Sequence, residues 1–178
     1  MSDWRCSVAV GLVIGSLGSL GGCVIHEVSP NPSVVISGRA THIRIDTSAL
    51  KDAQHVSGML FTSVADIRKS LTNGLRNAAG DKFVESGSDA VLLKFVSLDL
   101  QVTQGLSSYI GARFRAKWIA ANGELIAEVS AKAEPHNRFE QDRDRHVEDL
   151  LGVVLERAIE GYDRATRPAA TPANATLP

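Results

Sequence analysis

Tyr109-Ile-Gly-Ala-Arg-Phe-Arg-Ala-Lys-Trp-Ile-Ala-Ala-Asn-Gly-Glu-Leu-Ile-Ala-Glu-Val-Ser-Ala-Lys-Ala133 is the stretch that decides the fold. Asn122-Gly123 stands between two runs of alternating apolar and polar residues. Such a dipeptide is the strongest short hairpin signal, because a two-residue type I′ turn requires positive φ at both central positions. With Asn122 and Gly123 as the loop, the numbers of opposed residues add to 245. One face then carries Phe114, Ala116, Trp118 and Ala120 opposite Ala131, Val129, Ala127 and Leu125. The other carries Arg113, Arg115, Lys117 and Ile119 opposite Lys132, Ser130, Glu128 and Ile126. A slip of one residue would exchange the faces, so turn and alternation support one register. The alanines of the apolar face leave room for a helix to lie close.

That helix is predicted from about Glu140 to Tyr162, where Val147, Leu150, Leu151, Val154, Leu155, Ala158 and Tyr162 form a broad apolar stripe. Its start, Asp142-Arg-Asp-Arg-His-Val-Glu-Asp149, reads as solvated, with acidic residues complementing the positive end of the helix dipole. Upstream of the hairpin, Asp89 to Thr103 reads as a long strand. Ala90, Leu92, Val96, Leu98, Leu100 and Val102 share one face, broken by Lys94. The other face is apolar at Val91, Leu93 and Phe95 and then polar at Ser97, Asp99, Gln101 and Thr103. A helix precedes it, from Ser57 or Thr62 to Ala79, with Phe61, Val64, Ile67 or Arg68, Leu71, Leu75 and Ala78 at helical spacing. Gly80 is its natural stop. The first strand is Ala40 to Ile45. The order β–α–β–β–β–α predicts an α+β domain: an antiparallel sheet of about four strands with two helices packed on one face.

The chain has 178 residues, 44% hydrophobic and 22% charged, which suits one domain with short appendages. Nineteen Lys and Arg against twenty Asp and Glu leave no basic excess for gripping nucleic acid. Two cysteines cannot build a disulfide framework.

At the N-terminus, Met1-Ser-Asp-Trp-Arg5 precedes an uncharged run from Cys6 to Gly22, long enough for the apolar core of a signal peptide and interrupted by glycines. The run ends in Leu20-Gly21-Gly22-Cys23, which resembles the bacterial lipobox: a branched apolar residue, two small residues and a cysteine that takes diacylglycerol. The resemblance implies a signal peptide over 1–22 and lipidation at Cys23. Cys6 would leave with the signal, so the mature chain would keep no free thiol. Acyl chains at ~0.8 kcal/mol per buried methylene hold a protein to a membrane without a spanning segment. Val24 rather than Asp after the cysteine implies, by resemblance to enterobacterial sorting, the periplasmic face of the outer membrane. Residues 23–33 read as an extended tether, 34–164 as the single domain, and 165–178, rich in Pro, Ala and Thr, as a disordered tail.

Chemistry-bearing patterns are sparse. His26, His42, His55, His136 and His146 show neither an i, i+4 helical pair nor the H-E-x-x-H spacing, so no metal site is expected, although His42 and His55 flank a strand end. Gly105-Leu-Ser-Ser is not a nucleophile elbow. Phosphate-cradling glycine motifs do not occur. We therefore expect no catalytic residues and no cofactor.

Two features point to binding. On the outer face of the hairpin Arg113, Arg115, Lys117 and Lys132 lie together, with Arg113 directly opposite Lys132. Like charges across a sheet are destabilising, and only Glu128 opposite Lys117 offsets them within the hairpin. Such a face attracts an anionic partner, an acidic protein surface or the phosphates of lipopolysaccharide or another anionic lipid. The second feature is the loop Gln104-Gly-Leu-Ser-Ser-Tyr-Ile110. There Leu106, Tyr109 and Ile110 either tuck into the end of the core or form an apolar tip.

Beyond Cys23, the element order and the phrases Asn73-Gly-Leu-Arg-Asn-Ala-Ala, Ser88-Asp-Ala-Val-Leu-Leu and Ala121-Asn-Gly-Glu-Leu-Ile-Ala resemble small outer-membrane lipoproteins of Gram-negative bacteria. These are the lipopolysaccharide-assembly lipoprotein and the auxiliary lipoproteins of ABC-type envelope transport. The resemblance implies a non-enzymatic accessory that docks on envelope proteins of a transport, secretion or assembly system. The other reading is a small carrier that binds a lipid or other amphiphile between sheet and helices, which requires a cavity beneath Ala116, Ala127 and Ala131.

Overall fold

A computed structural model describes residues 23–25, 27–37, 40–50, 60–62, 64–103, 109–137 and 142–168. In chain order its regular elements are β1 (Cys23–Ile25), β2 (Ile43–Asp46), β3 (Leu60–Thr62), α1 (Val64–Ala79), β4 (Val91–Thr103), β5 (Tyr109–Ile119), β6 (Leu125–Ala133) and α2 (Arg143–Thr166). Four strands form one sheet in the order β2-β4-β5-β6, and β1 and β3 pair separately. The α+β class holds, but the sheet is mixed. β4, β5 and β6 form an antiparallel meander, whereas β2 runs parallel to β4, with Ile43 beside Val91 and Asp46 beside Lys94. The reason lies in the connection. A tight turn returns a chain antiparallel, but the connection that contains α1 is a crossover that brings the chain back to the end of the sheet at which β2 began, and a strand entered there runs parallel.

The hairpin pairs as the alternation predicts from Ala112/Ala133 to Trp118/Ala127. Its tip differs. Gly123 N–H donates to Ala120 O at 2.9 Å and Ala120 N–H to Glu124 O at 2.8 Å, so the loop has three residues, 121–123, not two. Gly123 supplies the left-handed residue at φ +86, and Asn122 Oδ1 accepts the Glu124 N–H at 3.0 Å. A turn followed by a left-handed glycine is the usual three-residue hairpin loop. The register then steps by one between Trp118 and Ile119, which restores the expected pairing beyond it. The correction falls on Leu125, which lies opposite Ile119 and is exposed rather than on the core face.

β4 holds a second irregularity, a register shift between Phe95 and Ser97. A bulge residue leaves the ladder and reverses the phase of the strand. Leu93 and Phe95 therefore face the core before the bulge and Leu98 and Leu100 after it, opposite Trp118, Ala116, Phe114 and Ala112. Leu92 and Lys94 belong to the outer face, contrary to a single unbroken apolar face along the strand.

α2 packs on β5 and β6, and α1 packs on β2 and against α2. Val147, Leu150, Leu151, Val154, Leu155, Ala158, Ile159 and Tyr162 of α2 are buried. They form one cluster with Ile67, Leu71, Leu75 and Ala78 of α1 and the inner residues of the sheet. α2 begins later and ends later than its periodicity suggests. Asp142 caps it, its carboxylate accepting from the N–H groups of Asp144 and Arg145. α1 begins at Val64, because Leu60–Thr62 is spent in β3, and Gly80 ends it at φ +54.

Residues 27–37 are extended, as their prolines imply, but they do not hang free. Pro30 and Pro32 are buried. Val28 N–H donates to Ser70 Oγ at 2.9 Å and Asn77 Nδ2 to Pro30 O at 2.9 Å, while Lys69 pairs with Glu27 at 3.3 Å. The crossing is possible because α1 has no side chain at Gly74. A Cβ there would lie 2.4 Å from Leu155 Cδ1 and 3.0 Å from Pro30 Cβ.

Candidate functional site

Since both helices contribute to one core on the inner face of the sheet, alternation sends the intervening residues outward. On that open face the strands set side chains in rows. Asp99 of β4 lies opposite Arg113 of β5, which lies opposite Lys132 of β6. The next row is Ser97, Arg115 and Ser130, and a third reads Asp46, Lys94, Lys117 and Glu128. The first two rows line an open hollow of roughly 820 Å³, with Ala49 and Leu50 also on its wall.

The third row is largely self-neutralised. Lys94 Nζ lies 3.6 Å from Asp46 Oδ2 and Lys117 Nζ 3.7 Å from Glu128 Oε2. Hydrogen bonds from Ser48 hold the Asp46 carboxyl below the usual carboxylate range against the opposing effect of burial, and Lys94 helps. In the hollow three cations, Arg113, Arg115 and Lys132, meet one carboxylate, Asp99. Among the described residues none of those three cations has an ion pair within 4.0 Å. Guanidinium groups stay charged at any physiological pH. A concave wall of one sign focuses the field and raises the local concentration of counter-ions. Two forked guanidiniums flanked by the hydroxyls of Ser97 and Ser130 can hold carboxylate or phosphate oxygens in two-point contacts. Of the four cations singled out in the sequence, the structure brings Arg113, Arg115 and Lys132 into the hollow and gives Lys117 to Glu128. Sequence reasoning missed the part of Asp99 and Ser97, which only the β4 bulge aligns with the hairpin rows.

The apolar loop is not an exposed tip at Ile110. That residue is buried, and its N–H donates to the buried His146 Nε2 at 3.2 Å. Leu106 and His55 lie outside the described residues, and of Tyr109 only the backbone is described, in β5. His42 Nδ1 pairs with Asp89 at 2.9 Å. Among the described residues no group of three or more His, Cys, Asp or Glu could hold a metal ion. No helix among them is long and apolar enough to cross a membrane. Beneath Ala116 the space a carrier requires is filled. Trp118 is wholly buried and its indole N–H donates to Ala158 O at 2.7 Å, and a Cβ on Gly161 would lie 2.3 Å from Val129 Cγ2.

A second polar cluster ties residues 27–37 to α2. The buried Glu156 accepts from Ser33 N–H and Ser33 Oγ, both at 2.6 Å, through Oε1, while its Oε2 lies 3.5 Å from His136 Nε2. His136 Nδ1 meets Asp149 Oδ1 at 2.8 Å, and Asp149 Oδ2 accepts the Asn137 N–H. Ser33 Oγ donates to the Glu156 carboxylate and not to the His136 imidazole. The hydrogen bond to Asp149 raises the His136 pKa above its ordinary 6.5 against a smaller effect of burial, and the charges of Asp149 and Glu156 add to the rise. Burial pushes the Asp149 carboxyl up, but the Asn137 N–H and His136 together hold it below its ordinary 3.8.

The raised histidine contributes stability that is fully present below 6.5 and lost as the pH climbs through its folded value. The lowered aspartate contributes above 3.8 and fails as the pH falls. His136→Gln is therefore expected to lower the urea midpoint more near pH ~5.5 than near pH ~8.5. The difference is expected to stay below about 1 kcal/mol, because the imidazole is largely exposed and screened. Equal losses at both pH values would show that the ring acts without its charge.

No family model matches this sequence, and a search of curated proteins finds no match. Among solved structures the chain is similar to protein XCC0632 from Xanthomonas campestris, described by family DUF330. The similarity has a TM-score of 0.41 and 11% identity, and it covers 80% of this chain and 94% of that one.

Proposed function

We propose that this chain is a lipid-anchored accessory subunit of an envelope transport, secretion or assembly system, held by Cys23 at the periplasmic face of the outer membrane. It acts by docking and performs no catalysis. Its open sheet face is the docking surface, and its partner is an acidic protein surface. The observation that carries the reading is the hollow in which Arg113, Arg115 and Lys132 face one carboxylate, with ion pairs made elsewhere on the same face. Charge of this kind speeds encounter and rejects basic partners more than it adds raw affinity. Anchoring by acyl chains keeps the domain near membrane-bound partners and raises the effective concentration for a weak contact.

The test is affinity purification of the full chain from its own membranes, with an Arg113/Arg115/Lys117→Glu variant beside it and mass spectrometry of proteins and lipids. The expected result is a protein recovered in fixed ratio with the wild type and depleted at least about tenfold with the variant, because several close charge contacts turn repulsive. A Cys23→Ser chain is expected to leave the membrane fraction. Recovery of lipid alone, unchanged by the charge reversal, would overturn the docking reading. So would a partner indifferent to the reversal.

A further inference from the structure

β6 is the outermost strand of the sheet, nine residues long, and among the described residues it pairs only with β5. It contains no proline. An uncovered edge of this length presents a row of free peptide groups ready to pair with another strand. The charge rows end unequally at this edge. One runs Asp46–Lys94–Lys117–Glu128 and finishes on an acid. The other runs Asp99–Arg113–Lys132 and finishes on two adjacent cations. Each row lacks what the other has at its end.

We propose that β6 pairs antiparallel with β6 of a second copy, with Ser130 opposite itself on the two-fold axis, so that Glu128 of each copy faces Lys132 of the other. The sheet then has eight strands, twice the four of one copy. Each row crosses the joint as Asp46–Lys94–Lys117–Glu128 followed by Lys132–Arg113–Asp99 of the second copy. The like pair Arg113/Lys132, costly within one chain, gains an acidic neighbour on its second side.

One other two-fold register opposes unlike charges: centring on Ala133 sets Lys132 against Glu134, but it overlaps β6 only at its last residues and brings Pro135 opposite Ala131. Centring on Val129 sets Glu128 against Ser130 and Lys132 against Ile126. Centring on Ala131 sets Glu128 against Glu134. Centring on Glu128 or Lys132 puts a charge against itself. Directly opposed like charges disfavour pairing and opposite charges favour it. On the helix side the proposed register sets Ala127 against Ala133 and Val129 against Ala131. The Glu128–Lys117 pair is on the β5 side of the strand and is kept. The proposal shares Lys132 with the docking reading but does not rest on it, since its test is the oligomeric state of the chain alone.

The experiment is sedimentation equilibrium of the full chain in density-matched detergent, with Glu128→Lys, Lys132→Glu and the double exchange. Wild type is expected to be dimeric. Each single variant places two like-charged pairs across the joint and is expected to raise the dimer dissociation constant by about tenfold or more. The double exchange restores both pairs and is expected to restore the dimer. Mixing the two single variants is expected to give a one-to-one heterodimer, because every cross-strand pair is then opposite in sign. A monomeric wild type would overturn the proposal, and so would a dimer that both single variants leave unchanged. Loss of fold in a single variant is separated by the double exchange, which carries both substitutions.

Discussion

Trp118→Ala is expected to lower the stability of the fold by about 3–5 kcal/mol, more than any other single truncation in the sheet. The ring is wholly buried near the C-terminal end of β5 and lies 4.6 Å from the Tyr162 ring, centroid to centroid. Its N–H reaches Ala158 O at 2.7 Å. Removing it leaves a cavity between a rigid sheet and a helix whose distance from the sheet is set by other contacts, so little of the space can close. Against a total of roughly 5–15 kcal/mol for an ordinary domain, the loss takes a large share of the margin. Trp118→Phe keeps the apolar ring beside Tyr162 and gives up the indole hydrogen bond, and is expected to cost far less, about 1 kcal/mol for that bond plus a smaller volume change. Urea unfolding of the two variants checks the ordering. A loss below about 1 kcal/mol for Trp118→Ala would mean that α2 settles onto the sheet, which the packing around Gly161 opposes.

Much of this architecture is legible in the residues, and the reasons for the exceptions are physical. Alternation between Ala112 and Trp118 and between Ala127 and Ala133 is strict, and a period of two admits no intermediate faces, so the core side of the hairpin and its basic side follow directly. The tip does not follow, because Asn-Gly serves a three-residue loop as well as a two-residue one, and a compensating shift hides the difference from every pair beyond Trp118. β4 carries its bulge in plain view. Apolar residues at Val91, Leu93 and Phe95 change phase to Leu98 and Leu100, and that change is the trace of one residue leaving the ladder. Reading the strand as unbroken put Lys94 on the face of Leu98 and Leu100 and left Ser97 and Asp99 on the opposite, polar face with no partners on the hairpin, because the register that sets them opposite Arg115 and Arg113 depends on the bulge. The parallel pairing of β2 needed the helix between strands to be taken as a crossover. The packing of residues 27–37 was beyond local reading, since Pro30 and Pro32 imply an extended chain without saying what it lies on. The missing side chain at Gly74, far away in the sequence, opens the place where Pro30 crosses.

The same kind of absence brings α2 onto the sheet, and it yields the second large effect. Gly161→Ala would place a methyl 2.3 Å from Val129 Cγ2, a distance no pair of carbon atoms sustains. Val129 is branched at Cβ and held in an edge strand, so its methyl has few other rotamers. The helix must therefore lift or tilt, disturbing Trp118 and Tyr162 beside it. We expect a net loss of about 1–3 kcal/mol, typical of overpacking. It arises although alanine is the better helix former by about 1 kcal/mol. Gly152→Ala in the same helix is the counter-example. A Cβ there meets nothing within 4 Å, so the propensity gain is unopposed and stability is expected to rise. Val129→Ala removes the colliding methyl. Combined with Gly161→Ala it is expected to recover most of the loss, with a coupling between the two sites of about 0.5–3 kcal/mol in a double-mutant cycle. Additive losses would mean that Gly161 serves a purpose other than close approach. A strong coupling would place α2 flush against β6 in solution, filling the space that an amphiphile between sheet and helix would need.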